Sequence, residues 1–206
     1  MKERTILVYS YDELSEEAKE NAKQHYMENM FDNHWWHEHT IEHIADIGAI
    51  IGITIDKGKH GYHAYFDLDR GNYFAFDGSY SYKKGWREAV RKEWGTDSFT
   101  KPLSKQDITL TFLRNFSYLE WEAQYVHWWS VNCTCTSGNH GRMSINADCD
   151  CDHYHGAPEK ECDEIIGAFC SWAWDILEAE YEYLQSDEYV ENDLRGYEFD
   201  KAGGIL

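Results

Sequence analysis

Two cysteine pairs, Cys133-Thr-Cys135 and Cys149-Asp-Cys151, followed by His153 and His155, form the densest run of metal-ligating side chains in the sequence. Thiolates and imidazoles are the donors of tetrahedral zinc, which needs its ligands within about 4 Å of one another. Both pairs fall in one expected hairpin. Cys135 sits beside its turn and Cys149 about eight residues beyond, some 25 Å along a strand at ~3.3 Å per residue. That spacing favours small buried hydrophobes over a shared zinc site. Asp148, Asp150, Asp152 and Glu159 interleave with the cysteines at positions 1, 3, 5 and 12 of a calcium-loop pattern. His153, however, stands at the sixth position, where such loops require Gly. The candidate metal set, for zinc or calcium, is therefore Cys133, Cys135, Cys149, Cys151, His153, His155, Asp148, Asp150 and Asp152.

A second histidine arrangement, His39-Thr-Ile-Glu-His43, matches the H-x-x-E-H pattern in which two histidines one turn apart hold zinc and the glutamate activates water. On a helix whose apolar side is centred on Ile41, His39 and His43 lie on the opposite side, so this face is expected to be solvated. No G-x-S-x-G, no G-x-x-x-x-G-K and no Gly-rich dinucleotide turn occurs. The expectation is a protein that is not an enzyme.

The carboxylates are more informative. The chain carries 19 Lys and Arg against 38 Asp and Glu, a formal net charge of −19. Ala147 to Asp200 holds 17 acidic residues against Lys160 and Arg195, a net of −15 that leaves −4 for the remainder. Such a field repels phosphate backbones and membrane surfaces and attracts basic partners. Within this stretch, Cys162, Ile165, Ile166, Ala173, Ile176 and Leu184 gather within about 80° of Phe169 on a helical projection, while Glu164, Asp175, Glu178 and Glu182 gather on the far side. Asp175 to Glu182 spans about 10 Å at 1.5 Å per residue, a spacing broadly comparable to phosphates along a nucleic-acid strand. Asp187, Glu188 and Glu191 extend the row. These seven residues are the candidate partner-binding set, directed at a basic surface on another protein rather than at nucleic acid itself.

Several elements must position these groups. A strand is expected over Thr5–Tyr9, then a helix capped by Ser15 with Ala18, Ala22, Tyr26 and Met30 on one face. A second helix is expected over Trp35–Ile51. The runs YHAYF and NYFAF flank an Asp-Arg-Gly-Asn turn, with GSYSY continuing the second run as one hairpin. A short helix over Gly85–Trp94 and another from Ser104 follow. A second hairpin is expected from Tyr125 through Cys135, returning through Met143 to Asp152. Pro158 opens the longest helix, roughly Glu159–Gln185, and Ser186 restarts a short one ending at Gly196. Helices alternating with hairpins, without a βαβ rhythm, place the chain in the α+β class: antiparallel hairpins packed against several helices, with a long acidic C-terminal helix. With 42% hydrophobic residues and 16% aromatic, the expectation is one core and one domain over residues 1–206. No run approaches the roughly 20 apolar residues of a membrane span, and six cysteines are too few for a small secreted disulfide scaffold. A reducing cytoplasm is the expected setting.

The blocks VYSYDELSEEAKENAKQHY, GNYFAFDGSYSYKKGW and LEAEYEYLQSDEYVENDLRGYEF resemble a family of small bacteriophage-encoded proteins, variously labelled uncharacterised or antitoxin-like. The resemblance implies phage origin and residence in the host bacterial cytoplasm, and brings no catalytic residues with it. The cysteine-rich hairpin and HTIEH stand outside the family pattern. Joined to the charge map, it makes the expected function inhibition of a host defence or nucleic-acid-binding complex, by presenting a nucleic-acid-like surface. The alternatives are a metal-binding or metal-dependent protein using the hairpin over 133–155, and an antitoxin that neutralises a co-encoded toxin.

Overall fold

The computed structural model describes residues 7–32, 36–68, 71–104, 107–127, 131–138, 143–149 and 157–206. The protein is α+β: helices combined with antiparallel sheets. Its contacts divide into two compact units, one from Met1–His37 with Ala179–Leu206, the other from Glu38–Glu178.

In the first unit, helix α1 (Glu16–Asp32) starts where Ser15 Oγ accepts the Ala18 amide at 3.3 Å, the expected cap. Ala18 and Ala22 are buried on its inner face, where Tyr11, Leu14, Val190, Leu194 and Phe199 complete a small core. Helix α6 (Asp187–Leu194) supplies Val190 and Leu194, and the Ser186 hydroxyl caps it by accepting the Tyr189 amide. Of the strand expected over Thr5–Tyr9, residues 5–6 lie outside the described residues. Tyr9 forms a single bridge, exchanging two 2.9 Å hydrogen bonds with Phe199.

In the second unit, α2 (Glu38–Ile51) buries Ile41, Ile44, Ile47 and Ile51. Its chain reverses at Gly52, whose φ of +94° suits a residue without Cβ, directly into β1 (Ile53–Ile55). The short ribbon β2 (Lys57–Gly58) with β3 (Gly61–Tyr62) precedes β4 (Ala64–Asp67) and β5 (Tyr73–Phe76), which pair antiparallel as the aromatic hairpin requires. GSYSY does not continue that hairpin. At Asp77 the chain leaves β4, and β6 (Gly78–Ser81) pairs with β1 instead. A Cβ at Gly78 would overlap the Thr54 carbonyl, so only glycine lets the two strands meet there.

Helix α3 (Trp86–Trp94) follows, then α4 (Ile108–His127), which begins after Asp107 rather than at Ser104 and extends past the expected break near Trp121. Leu110, Phe112, Leu113, Phe116 and Glu120 are all buried at helical spacing, so that period prevails over the strand preference of the aromatics that follow. Strand β7 (Val131–Ser137) pairs with β6 and with β8 (Met143–Cys149), giving the sheet order β1-β6-β7-β8. Helix α5 (Ala157–Leu184) is the expected long C-terminal helix. The unit's core centres on Phe169 of α5, fully buried, with ring centroids 5.5 Å from Phe76, 6.4 Å from Phe74, 6.2 Å from Phe112 and 5.5 Å from Trp172. No helix among the described residues is long and apolar enough to cross a membrane.

Candidate functional site

The periodicity that buries Cys162, Ile165, Ile166, Phe169 and Ala173 leaves Glu164 and Asp175 of α5 exposed in the second unit, with Glu178 half-buried. Glu164 lies 3.9 Å from Lys160 one turn earlier, an exposed pair of small energetic weight. Asp175 makes no ion pair among the described residues, and partial desolvation raises its carboxyl above the ordinary range.

In the first unit, Glu182, Asp187 and Glu188 are exposed and Glu191 is half-buried. Two of these four carboxylates are already engaged. Lys23 of α1 reaches Asp187 at 2.8 Å and Glu191 at 2.7 Å, binding α1 to α6. The hydrogen bonds to Asp187 and then Glu191 hold the Lys23 ammonium above its usual range, against a smaller opposing effect of burial. Tyr26 donates to Asp193 at 2.7 Å beside them. Glu182 and Glu188 form no ion pair among the described residues. The seven carboxylates thus divide by availability: Asp175, Glu182 and Glu188 are exposed and make no ion pair among the described residues, while Asp187 and Glu191 partly serve the fold.

The cysteine hairpin differs from its expectation. Cys133 of β7 is joined by a disulfide to Cys162 of α5, both buried, which corrects the reading of unpaired thiols and withdraws Cys133 from a four-thiolate set. Cys135 is a free buried thiol, and so is Cys170. Burial pushes both up to about 12, with proximity to Cys135 adding to the effect on Cys170. Thiols held protonated in this way are poor metal ligands. In the β7–β8 register Cys135 faces Ile145 and Cys149 faces Val131. Cys149 is thus four residues along the ladder from the position opposite Cys135, about 13 Å at ~3.3 Å per residue rather than 25 Å. Asp148 occupies the register position opposite Asn132. Asp150, Cys151, Asp152, His153 and His155 lie outside the described residues. Among the described residues no group of three or more His, Cys, Asp or Glu is placed to hold a metal ion. His39 and His43 are exposed on α2, as the helical projection requires, with His39 Nδ1 3.9 Å from Glu42.

A third constellation was not read from the sequence. Glu120 of α4 is 1% exposed, and its Oε2 accepts from Trp86 Nε1 at 2.7 Å and from Arg87 Nη2 at 3.0 Å. Arg87 also donates to Ser117 Oγ at 2.8 Å and to the Ser117 carbonyl at 3.1 Å. Glu120 Oε1 has no partner among the described residues. Burial pushes this carboxyl up to about 7 against the opposing pull of Trp86 and Arg87. Its signal was a glutamate at i+4 from Phe116 on an otherwise apolar helical face.

Residues 36–187 match the family model described as "Domain of unknown function (DUF8835)". The chain belongs to this family. The DUF8835 span contains the whole of the second unit and ends at Asp187, so Glu164, Asp175, Glu178, Glu182 and Asp187 fall inside it and Glu188 and Glu191 outside. No curated protein and no solved structure matches the chain.

Proposed function

We propose that this DUF8835 protein works by binding a partner protein through a basic, nucleic-acid-binding surface, occupying that surface with carboxylates in place of phosphates, without catalysing a reaction. The supporting observation is that each unit by itself presents exposed carboxylates with no ion pair among the described residues, Glu182 and Glu188 in the first and Asp175 in the second. A net charge of −19 reinforces it through long-range attraction to a basic partner and exclusion of free nucleic acid. The resemblance to phage-encoded proteins favours a bacterial host defence or nucleic-acid-binding complex as the target.

The test is affinity capture from bacterial lysate at low and at high salt, with wild type and with a triple variant, Asp175→Lys, Glu182→Lys and Glu188→Lys. The proposal expects wild type to retain a basic nucleic-acid-binding protein at low salt, to release it at high salt, and to compete with duplex DNA for it. The triple variant should lose that capture. Equal capture by the variant, or a captured protein indifferent to salt and to DNA, would overturn the reading.

A further inference from the structure

The seam between α3 and α4 holds an ionisable group that the binding role does not use. Trp86 and Arg87 open α3, and Glu120 lies on α4, so both hydrogen bonds to the carboxylate join these two helices. The carboxylate is asymmetrically satisfied. Oε2 receives two donors, and Oε1 receives none among the described residues. A buried carboxylate with one bare oxygen carries an uncompensated desolvation cost as an anion, and that cost disappears when the bare oxygen takes a proton. Among the described residues the cation that pairs with it is shared, since Arg87 also donates to both Ser117 oxygens and remains satisfied whether or not Glu120 is charged. From β6, the buried Tyr80 faces the same carboxylate, and its hydroxyl resists ionisation through burial first and the Glu120 charge second. On α4 itself, Arg114 is turned away to the backbone carbonyls of Ser98 and Lys101.

We propose that the Trp86–Arg87–Glu120 cluster is a pH-operated latch between α3 and α4, in which Glu120 takes a solvent proton on Oε1 as the surroundings acidify and the seam tightens. Trp86 Nε1 and Arg87 keep their bonds to Oε2 throughout, so the helices stay in register while the buried charge is removed.

The direction of the effect follows from linkage. The folded carboxyl lies above its ordinary 4.5, so between that value and about 7 the folded protein binds the proton and the unfolded chain does not. The stabilisation is fully present at the acid end of this window and is lost as pH rises through the folded value. That is the reverse of a salt-bridged carboxylate.

The experiment is urea unfolding of the full chain between about pH 5 and about pH 8, comparing wild type with Glu120→Gln, whose amide stays neutral. Over that range the folding constant of wild type, relative to the variant, should fall by up to ~10²-fold. Parallel pH profiles for the two proteins would overturn the latch. Should the variant fail to fold, infrared spectroscopy of wild type with labelled glutamate carboxyls decides the matter. A buried protonated carboxyl band present near about pH 6 and gone near about pH 8.5 supports the proposal, and its absence at the lower pH refutes it.

Discussion

The cross-link between Cys133 and Cys162 closes a loop with a sequence separation of 29 between strand β7 and helix α5. A loop of that size removes about 12 cal/mol/K from the unfolded ensemble, so opening the bond is expected to lower stability by about 3.5 kcal/mol at 25 °C. With a urea m-value of ~2 kcal/mol/M, the unfolding midpoint should drop by roughly 1.5–2 M. The clean comparison has two arms. Adding a dithiol reductant to wild type opens the cross-link while leaving both sulfurs in their buried sites, so the shift reports loop closure alone. The double variant Cys133→Ala and Cys162→Ala also loses sulfur packing, and reductant should then change nothing further. Alkylation in urea before reduction supplies the independent check, because linked sulfurs cannot be modified. If both Cys133 and Cys162 are alkylated without reductant, or if reductant leaves the midpoint of wild type in place, the cross-link reasoning fails.

Two further changes test each unit by itself. Phe169→Ala empties the ring site shared by Phe74, Phe76, Phe112 and Trp172 and should cost about 3–5 kcal/mol in calorimetric or urea unfolding, whereas a loss below about 1 kcal/mol would show that these rings do not form the central core. Lys23→Met removes the cation shared by Asp187 and Glu191. Because the Asp187 side chain is 85% exposed, the loss should be only about 1 kcal/mol and should shrink further in high salt, and a salt-independent loss would show that the ammonium acts through packing instead.

The sequence alone determined what depends on local periodicity and caps. The alternation of buried and charged positions placed α5 and its exposed carboxylates, Ser15 and Ser186 marked two helix starts, and the solvated histidines of α2 followed from 100° per residue. These features depend on neighbours within one or two turns, so no distant contact can reassign them cheaply. The YFAF and GSYS runs read as one strand, and only the tertiary structure separated them. Asp77 accepts from the Ser137 amide at 2.7 Å and hydroxyl at 2.8 Å, and Gly78 permits close approach to Thr54, so the break arises from partners distant in sequence. The same holds for β1, too short at three residues to announce itself beside the isoleucines of α2, for the pairing of Cys133 with Cys162, and for the burial of Glu120 against Trp86 and Arg87. A local pattern says which face of an element is apolar. Which polar group is drawn into that face, and what compensates its desolvation there, is decided when separate elements pack together.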